Sequence, residues 1–218
     1  MKSITRTLVF FAIFALSSVA ILTVADPSSA QVTFTSSEEL FHADNPGLRT
    51  QTFTSADVAP GGIIGCATPL DSSSGGGCLP PGAVLPGIAF SVEPGFGTLI
   101  AGPFLFFNLN PVKVLMPDGS AQKNVVLFPG GTVFAAGLRV GCLFDFGIGE
   151  PCVDQALRIE VFGPGDQLIG STDVITDSLF QTFVGIESDV PIERITLIDA
   201  DLAPPSFNGI ASVSFSAG

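Results

Sequence analysis

The sequence predicts an all-β chain: a single β-sandwich of jelly-roll-like form with one short helix after the first strand, preceded by a signal-peptide helix. Three observations predict it. Apolar and polar residues alternate over many short stretches, the period-two pattern of strands with one buried face. Turns rich in Gly and Pro punctuate those stretches at short intervals. After residue 30, no segment longer than the one near Glu39 reads as a helix.

Residues 1–30 read as a secretory signal. Lys2 and Arg6 supply positive charge, Leu8 to Val24 is almost wholly apolar, and Ser28-Ser29-Ala30 offers small residues for cleavage. Cleavage is expected after Ala30, with Ala25 as second choice. An uncut membrane anchor is the competing reading. The apolar run sits near the lower limit of the roughly 17–25 residues a spanning helix needs, and Ser17, Ser18 and Thr23 dilute it. No cysteine precedes Cys66, so no lipidated N-terminal cysteine is expected. The expected product is residues 31–218, one soluble domain released outside the cell or into a periplasm, with no stable membrane insertion.

Val32-Thr33-Phe34-Thr35 alternates as a first strand. Ser36 and Glu39 have capping-box spacing and open a short helix running to about Ala43, which Asn45-Pro46-Gly47 stops. Arg49 to Thr54 reads as a second strand with Phe53 inward. A long Gly/Pro/Ser loop then occupies residues 59–82. Further strands are expected at Ile88–Val92, Thr98–Ile100, Phe104–Asn108, Val112–Leu115, Val125–Phe128 and Thr132–Leu143. The last ones are expected at Ala156–Phe162, Gln167–Asp173, Thr182–Ile186, Ile195–Ile198 and Ala211–Phe215. Turn residues separate them at Pro94-Gly95, Pro117-Asp118-Gly119, Pro129-Gly130-Gly131 and Gly163-Pro164-Gly165-Asp166. Clean alternation in Leu157 to Phe162, Ile195 to Ile198 and Val213 to Phe215 predicts one sheet face turned to water.

Four cysteines allow three pairings. Their spacing favours Cys66–Cys78 and Cys142–Cys152, each closing a short loop of Gly and Pro; a chain-entropy argument assigns such a loop about 3 kcal/mol. A four-thiolate zinc site would show tighter Cys pairs. Removing Lys2, Arg6 and Asp26 with the leader leaves six basic and nineteen acidic residues, a net charge of −13. That surface repels phosphate backbones, so nucleic acid is not an expected partner. Twenty Phe stand beside no Trp and no Tyr. This weakens a stacking-type sugar site but leaves recognition by hydrogen bonds open.

Little in the chain carries catalytic chemistry. A single histidine, His42, excludes HExxH and multi-histidine zinc sites, and capping or packing at a helix end is its expected role. No G-x-S-x-G elbow and no phosphate-binding glycine loop in a strand-to-helix context is present. Asp145, Glu150 and Asp154, and separately Glu187, Asp189 and Glu193, are acids that a glycosidase would need as a pair in a cleft; neither group forms a diagnostic motif. A structural Ca²⁺ is the better-motivated cofactor, since hard cations take several turn oxygens. Its candidate ligands are Asp199, Asp201, Asn208 and Glu38, on the expectation that the first strand runs beside the last.

Several segments resemble a family. The opening strand, Glu39-Leu40-Phe41, Asn45-Pro46-Gly47 and Thr52-Phe53 are similar to the start of secreted bacterial β-sandwich proteins, many of which end in a PEP-CTERM sorting signal. Phe134 to Leu138, Ile159 to Gly163, Leu168 to Ser171, Phe183 to Ile186, Pro191 to Leu197 and Asn208 to Phe215 continue the likeness. The resemblance covers most of the chain after residue 30 and implies a sandwich fold, in some members like carbohydrate-binding jelly rolls. It implies no catalytic residues. The sorting tail itself is absent, which implies release rather than surface sorting.

The expected function is therefore non-enzymatic binding of an extracellular polysaccharide or matrix, through edge loops 59–82 and 143–155. A glycoside hydrolase or lyase using scattered carboxylates is one alternative. A structural surface protein with an exposed Phe104, Phe106 and Phe107 patch is the other.

Overall fold

The computed structural model describes residues 30–93, 97–104, 111–119, 123–145, 155–200 and 206–216. Residues 1–29 of the expected signal segment, the Pro94-Gly95 turn, Cys152, Glu150, Asp154, Asp201, Phe106 and Phe107 lie outside these residues. No helix among the described residues is long and apolar enough to cross a membrane.

The chain order is β1 (Val32–Thr35), α1 (Glu38–Asp44), β2 (Arg49–Thr52), β3 (Ile63–Cys66), β4 (Ala89–Glu93), β5 (Thr98–Ala101) and β6 (Val114–Pro117). It continues with β7 (Lys123–Leu127), β8 (Val133–Asp145), β9 (Gln155–Gly163), β10 (Gln167–Thr176), β11 (Thr182–Ile192), β12 (Arg194–Asp199) and β13 (Ser206–Phe215). Two antiparallel sheets pack face to face, the all-β sandwich expected. The larger, of eight strands, runs β1-β11-β8-β13-β6-β5-β3, with β2 also on β13; the smaller, of five, runs β10-β9-β12-β7-β4. β2 and β6 share one edge of β13, β2 against Ser212 to Phe215 and β6 at Ile210.

Alternation fills the space between the sheets. Leu157, Ile159 and Val161 of β9 and Ile195 and Leu197 of β12 meet Ala136, Leu138 and Val140 of β8 and Ile210, Val213 and Phe215 of β13. Ile210 and Val213 are three apart, yet both point inward. The irregularity between Ile210 and Ser212 against β8 resets the side-chain alternation, leaving Ala211 and Ser212 together on the outer face.

Three local expectations are corrected. The helix cap is Ser37, whose hydroxyl accepts from Leu40 N at 3.3 Å, rather than Ser36. Segment 59–82 is no slack loop. Its β3 pairs with β5 of the larger sheet, Leu70 bridges Phe90 of the smaller, and Leu70, Cys78 and Leu79 are buried in the main core. The Cys66–Cys78 disulfide ties this segment together, with Cα atoms 5.2 Å apart. Thr196 and Ser214, expected to face water, are buried. Thr196 lies beside the Glu160 carboxylate at 3.4 Å, and Ser214 shares a hydrogen bond with Thr50 at 2.9 Å.

The larger sheet also carries apolar clusters on its outside. Gly137 of β8 pairs with Gly185 of β11, and a Cβ at Gly137 would stand 2.8 Å from the rings of both Phe41 and Phe183. The glycine pair is a socket on which α1 seats Phe41. Gly141 and Gly209, also paired, form a second socket, with a Cβ at Gly141 falling 2.7 Å from the Phe180 ring.

Candidate functional site

A cleft of about 360 Å³ opens beside the second socket, on the outer face of the larger sheet. Its floor is a cross-strand row. Ser212 of β13 pairs with Thr52 of β2 on one side and Arg139 of β8 on the other. Side chains so aligned lie about 5 Å apart, so two hydroxyls and a guanidinium stand in line. The β13 irregularity brings Ala211 into the same floor.

One wall is the connection between β10 and β11. Asp177 organises it: its carboxylate accepts from Leu179 N at 2.9 Å, while its carbonyl accepts from Cys142 N at 3.0 Å. Phe180 there has φ of +57°, a left-handed conformation rare for a bulky side chain. Burial of its ring on Gly141 and Gly209 holds it there, and that turn presents the exposed Gln181 amide to the cleft. Backbone conformations of this kind concentrate at binding sites. The opposite wall is Pro111, Val112 and Lys113. The Lys113 ammonium donates to the carbonyls of Thr54 at 3.0 Å and Ala56 at 2.6 Å. Arg139 donates from Nε to Glu38 Oε1 at 3.1 Å and from Nη2 to Glu38 Oε2, which fixes its fork from the α1 side. Among the described residues, no carboxylate lines the cleft.

The residues singled out from the sequence fall elsewhere. Cys66 and Cys78 form the expected disulfide. Cys142 is buried, its sulfur 3.7 Å from the Thr176 carbonyl, and its expected partner Cys152 lies outside the described residues. His42 packs at the helix end as expected, 5.8 Å from the Phe41 ring centroid and with Nε2 3.8 Å from Glu38.

The described members of the proposed calcium set are not gathered. β1 pairs with β11, not with the last strand, so the premise that placed Glu38 near Asn208 fails. Glu38 is held by Arg139 on the outer face. Asn208 is buried between the sheets near Thr176 Oγ1, at 3.5 Å from its Oδ1, and its carbonyl accepts from Asn124. A sheet separates the two side chains. Asp199 sits at the far end of β12 opposite Leu157, and Asp201 lies outside the described residues. Among the described residues, no three His, Cys, Asp or Glu come together as a metal site.

Of the expected ligand loops, 59–82 buries Cys66, Leu70, Cys78 and Leu79 in the main core, and most of 143–155 lies outside the described residues. Phe104 is exposed, at 56%. Sequence reasoning missed Lys113, Arg139 and Gln181. One signal was present: Arg139 is the single charge in the apolar run from Phe134 to Leu143.

No protein-family model matches the chain, and no curated protein does. Among solved structures, one likeness is to a glycoside hydrolase family 43 arabinoxylan arabinofuranohydrolase from Bacillus subtilis in complex with cellotetraose. Identity is 11% and the TM-score 0.29, over 50% of this chain and 22% of that one. The chain thus spans less than a quarter of that enzyme's length, and a likeness this slight bears no weight for its function.

Proposed function

We propose that this is a secreted, non-enzymatic β-sandwich protein that binds an extracellular polysaccharide in the cleft over β8 and β13. The carrying observation is the row Thr52, Ser212 and Arg139, faced by the Gln181 amide and the Lys113 ammonium. Sugars present hydroxyls around their rim and C–H groups on their faces. Hydroxyl, amide and guanidinium groups match the rim, while Pro111, Val112 and Leu179 offer apolar wall to the faces. This is recognition by hydrogen bonds rather than aromatic stacking, in keeping with a chain that has no Trp or Tyr. The Cys66–Cys78 disulfide supports an oxidising compartment, as does the resemblance to secreted sandwich proteins.

The test is a glycan array on the purified chain beside the variant Gln181→Ala. Gln181 is exposed, so the variant is expected to fold as the parent does. Loss of its hydrogen bonds is worth about 1 kcal/mol, or roughly five- to tenfold in affinity. Silence of the parent on every glycan overturns the proposal, and so does binding that Gln181→Ala leaves unchanged.

A further inference from the structure

We infer that the sugar taken by this cleft is anionic, a polysaccharide whose carboxylate or sulfate ester is met by Lys113. The inference rests on the polysaccharide reading and narrows it to a substrate class. It begins from where the basic residues spend their charge. In a chain of net charge −12, cations are scarce and most are used internally. Arg158 pairs with Asp173, Arg194 with Asp166, and Arg139 with Glu38. Lys123 stands across from Glu93 in the β4–β7 register. Arg49 lies over the Phe215 ring, 5.2 Å from its centroid, and donates to the Pro86 carbonyl.

Lys113 differs from all of these. Among the described residues its ammonium takes neither a carboxylate nor a ring. It takes two backbone carbonyls, which use two of its three N–H donors and leave its positive charge unneutralised. Those two bonds also hold the side chain at the cleft wall, so little rotamer entropy remains to be lost when a ligand arrives. Arg139 lines the same cleft and spends Nε and Nη2 on Glu38, leaving Nη1 without a partner among the described residues. A ligand anion would therefore meet one free ammonium N–H and the two N–H groups of Arg139 Nη1. A neutral sugar would leave the Lys113 charge unmatched.

The acidic remainder of the surface does not cancel this. At 0.15 M salt the Debye length is about 8 Å, so distant carboxylates are screened while contacts inside the cleft are not.

The test uses the full domain and three polymers: polygalacturonate for carboxylate, dextran sulfate for sulfate ester, and unmodified dextran as the neutral control. Binding is measured by titration calorimetry at 0.15 M NaCl for the parent, Lys113→Gln and Lys113→Arg. The parent is expected to bind at least one anionic polymer tenfold or more above dextran, and the polymer preferred identifies the anion. Lys113→Gln is expected to lose about tenfold on that polymer and clearly less on dextran, with Lys113→Arg restoring most of it. Equal affinity for neutral and anionic polymers, unmoved by Lys113→Gln, overturns the anionic assignment and leaves the polysaccharide reading standing. Absence of binding to every polymer, with silence on the wider array, overturns both. If Lys113→Gln fails to fold, the parent's ratio of anionic to neutral affinity decides the question alone.

Discussion

On the outside of the larger sheet, phenylalanines lie on glycines; on the outside of the smaller sheet, arginines lie beside aspartates. Phe41 and Phe183 rest on Gly137 and Gly185, and Phe180 on Gly141 and Gly209. Across the sandwich, Arg158 pairs with Asp173, while Arg194 lies 3.8 Å from the centroid of the Phe162 ring and pairs with Asp166. Both faces belong to one fold and flank one core. A face that needs only solvation carries charges, which cost little and gain little. A face that carries paired glycines has given up side chains to let rings approach the backbone. That arrangement seats α1 and fixes the Phe180 turn, and both shape the cleft.

The largest expected effect comes from emptying a socket. Phe41 is 1% exposed and reaches a sheet backbone with no Cβ beneath it. Phe41→Ala is expected to cost about 3–5 kcal/mol in denaturant unfolding. Its loss also loosens α1, and with it the Glu38 contact that orients Arg139. Next is filling the socket from below. A Cβ at Gly185 would stand 2.6 Å from the Phe41 ring and 2.7 Å from Thr35 Cγ2. Gly185→Ala is therefore expected to cost about 1–3 kcal/mol by overpacking. Because both changes act on one contact, the double variant is expected to lose clearly less than the sum. Simple additivity would break the comparison, since the glycine would then matter for reasons unrelated to the ring.

On the other face the expected effects shrink. Arg194 is the best placed of its charges, over the Phe162 ring with its guanidinium on Asp166. Arg194→Ala is expected to cost about 1 kcal/mol through the ring contact and the packed stem. A loss as large as that of Phe41→Ala would show that the charged face is structural too.

The contrast between the faces was only half legible in the sequence. Alternation in Leu157 to Phe162 marks β9 and its charged outer side directly, because period two is a local signal. The sockets are not local. Gly137 and Gly185 meet only through the β8–β11 register, and each alone reads as a weak point in a strand. Phe180 and Phe183 look like ordinary core residues until the outer face is known. β3 escaped notice because Ile63 to Cys66 lies within a Gly-rich stretch whose apolar anchors, Leu70, Leu79 and Val84, follow no period. The cleft was invisible for a related reason: Thr52, Lys113, Arg139, Gln181 and Ser212 come from five places that only sheet pairing unites. The premise behind the calcium set missed on a similar point, since it assumed which strand lies beside β1.

The smallest expected effect is the most discriminating about charge. The Asp173 carboxylate sits below its ordinary pKa of 3.8, chiefly because it accepts N–H bonds from Arg158. Asp71, in the disulfide loop, is lowered in the same direction by the hydroxyl and backbone N–H of Ser73. A carboxylate lowered in the folded state adds stability fully present above the unfolded value, and that stability is lost as pH falls through the folded one. Both groups are exposed, so solvent and salt screen the gain. The melting temperature is therefore expected to be flat in these groups above about pH 5. Asp173→Asn should match the parent within error at pH 7 and 0.15 M salt, and any gap seen at low salt should close below pH 3.8. Melting curves of the two proteins from pH 7 to pH 2 check this. A gap that survives at high salt and neutral pH would mean that the Arg158–Asp173 pair holds the smaller sheet in place, and that its outer face is more than a solvated surface.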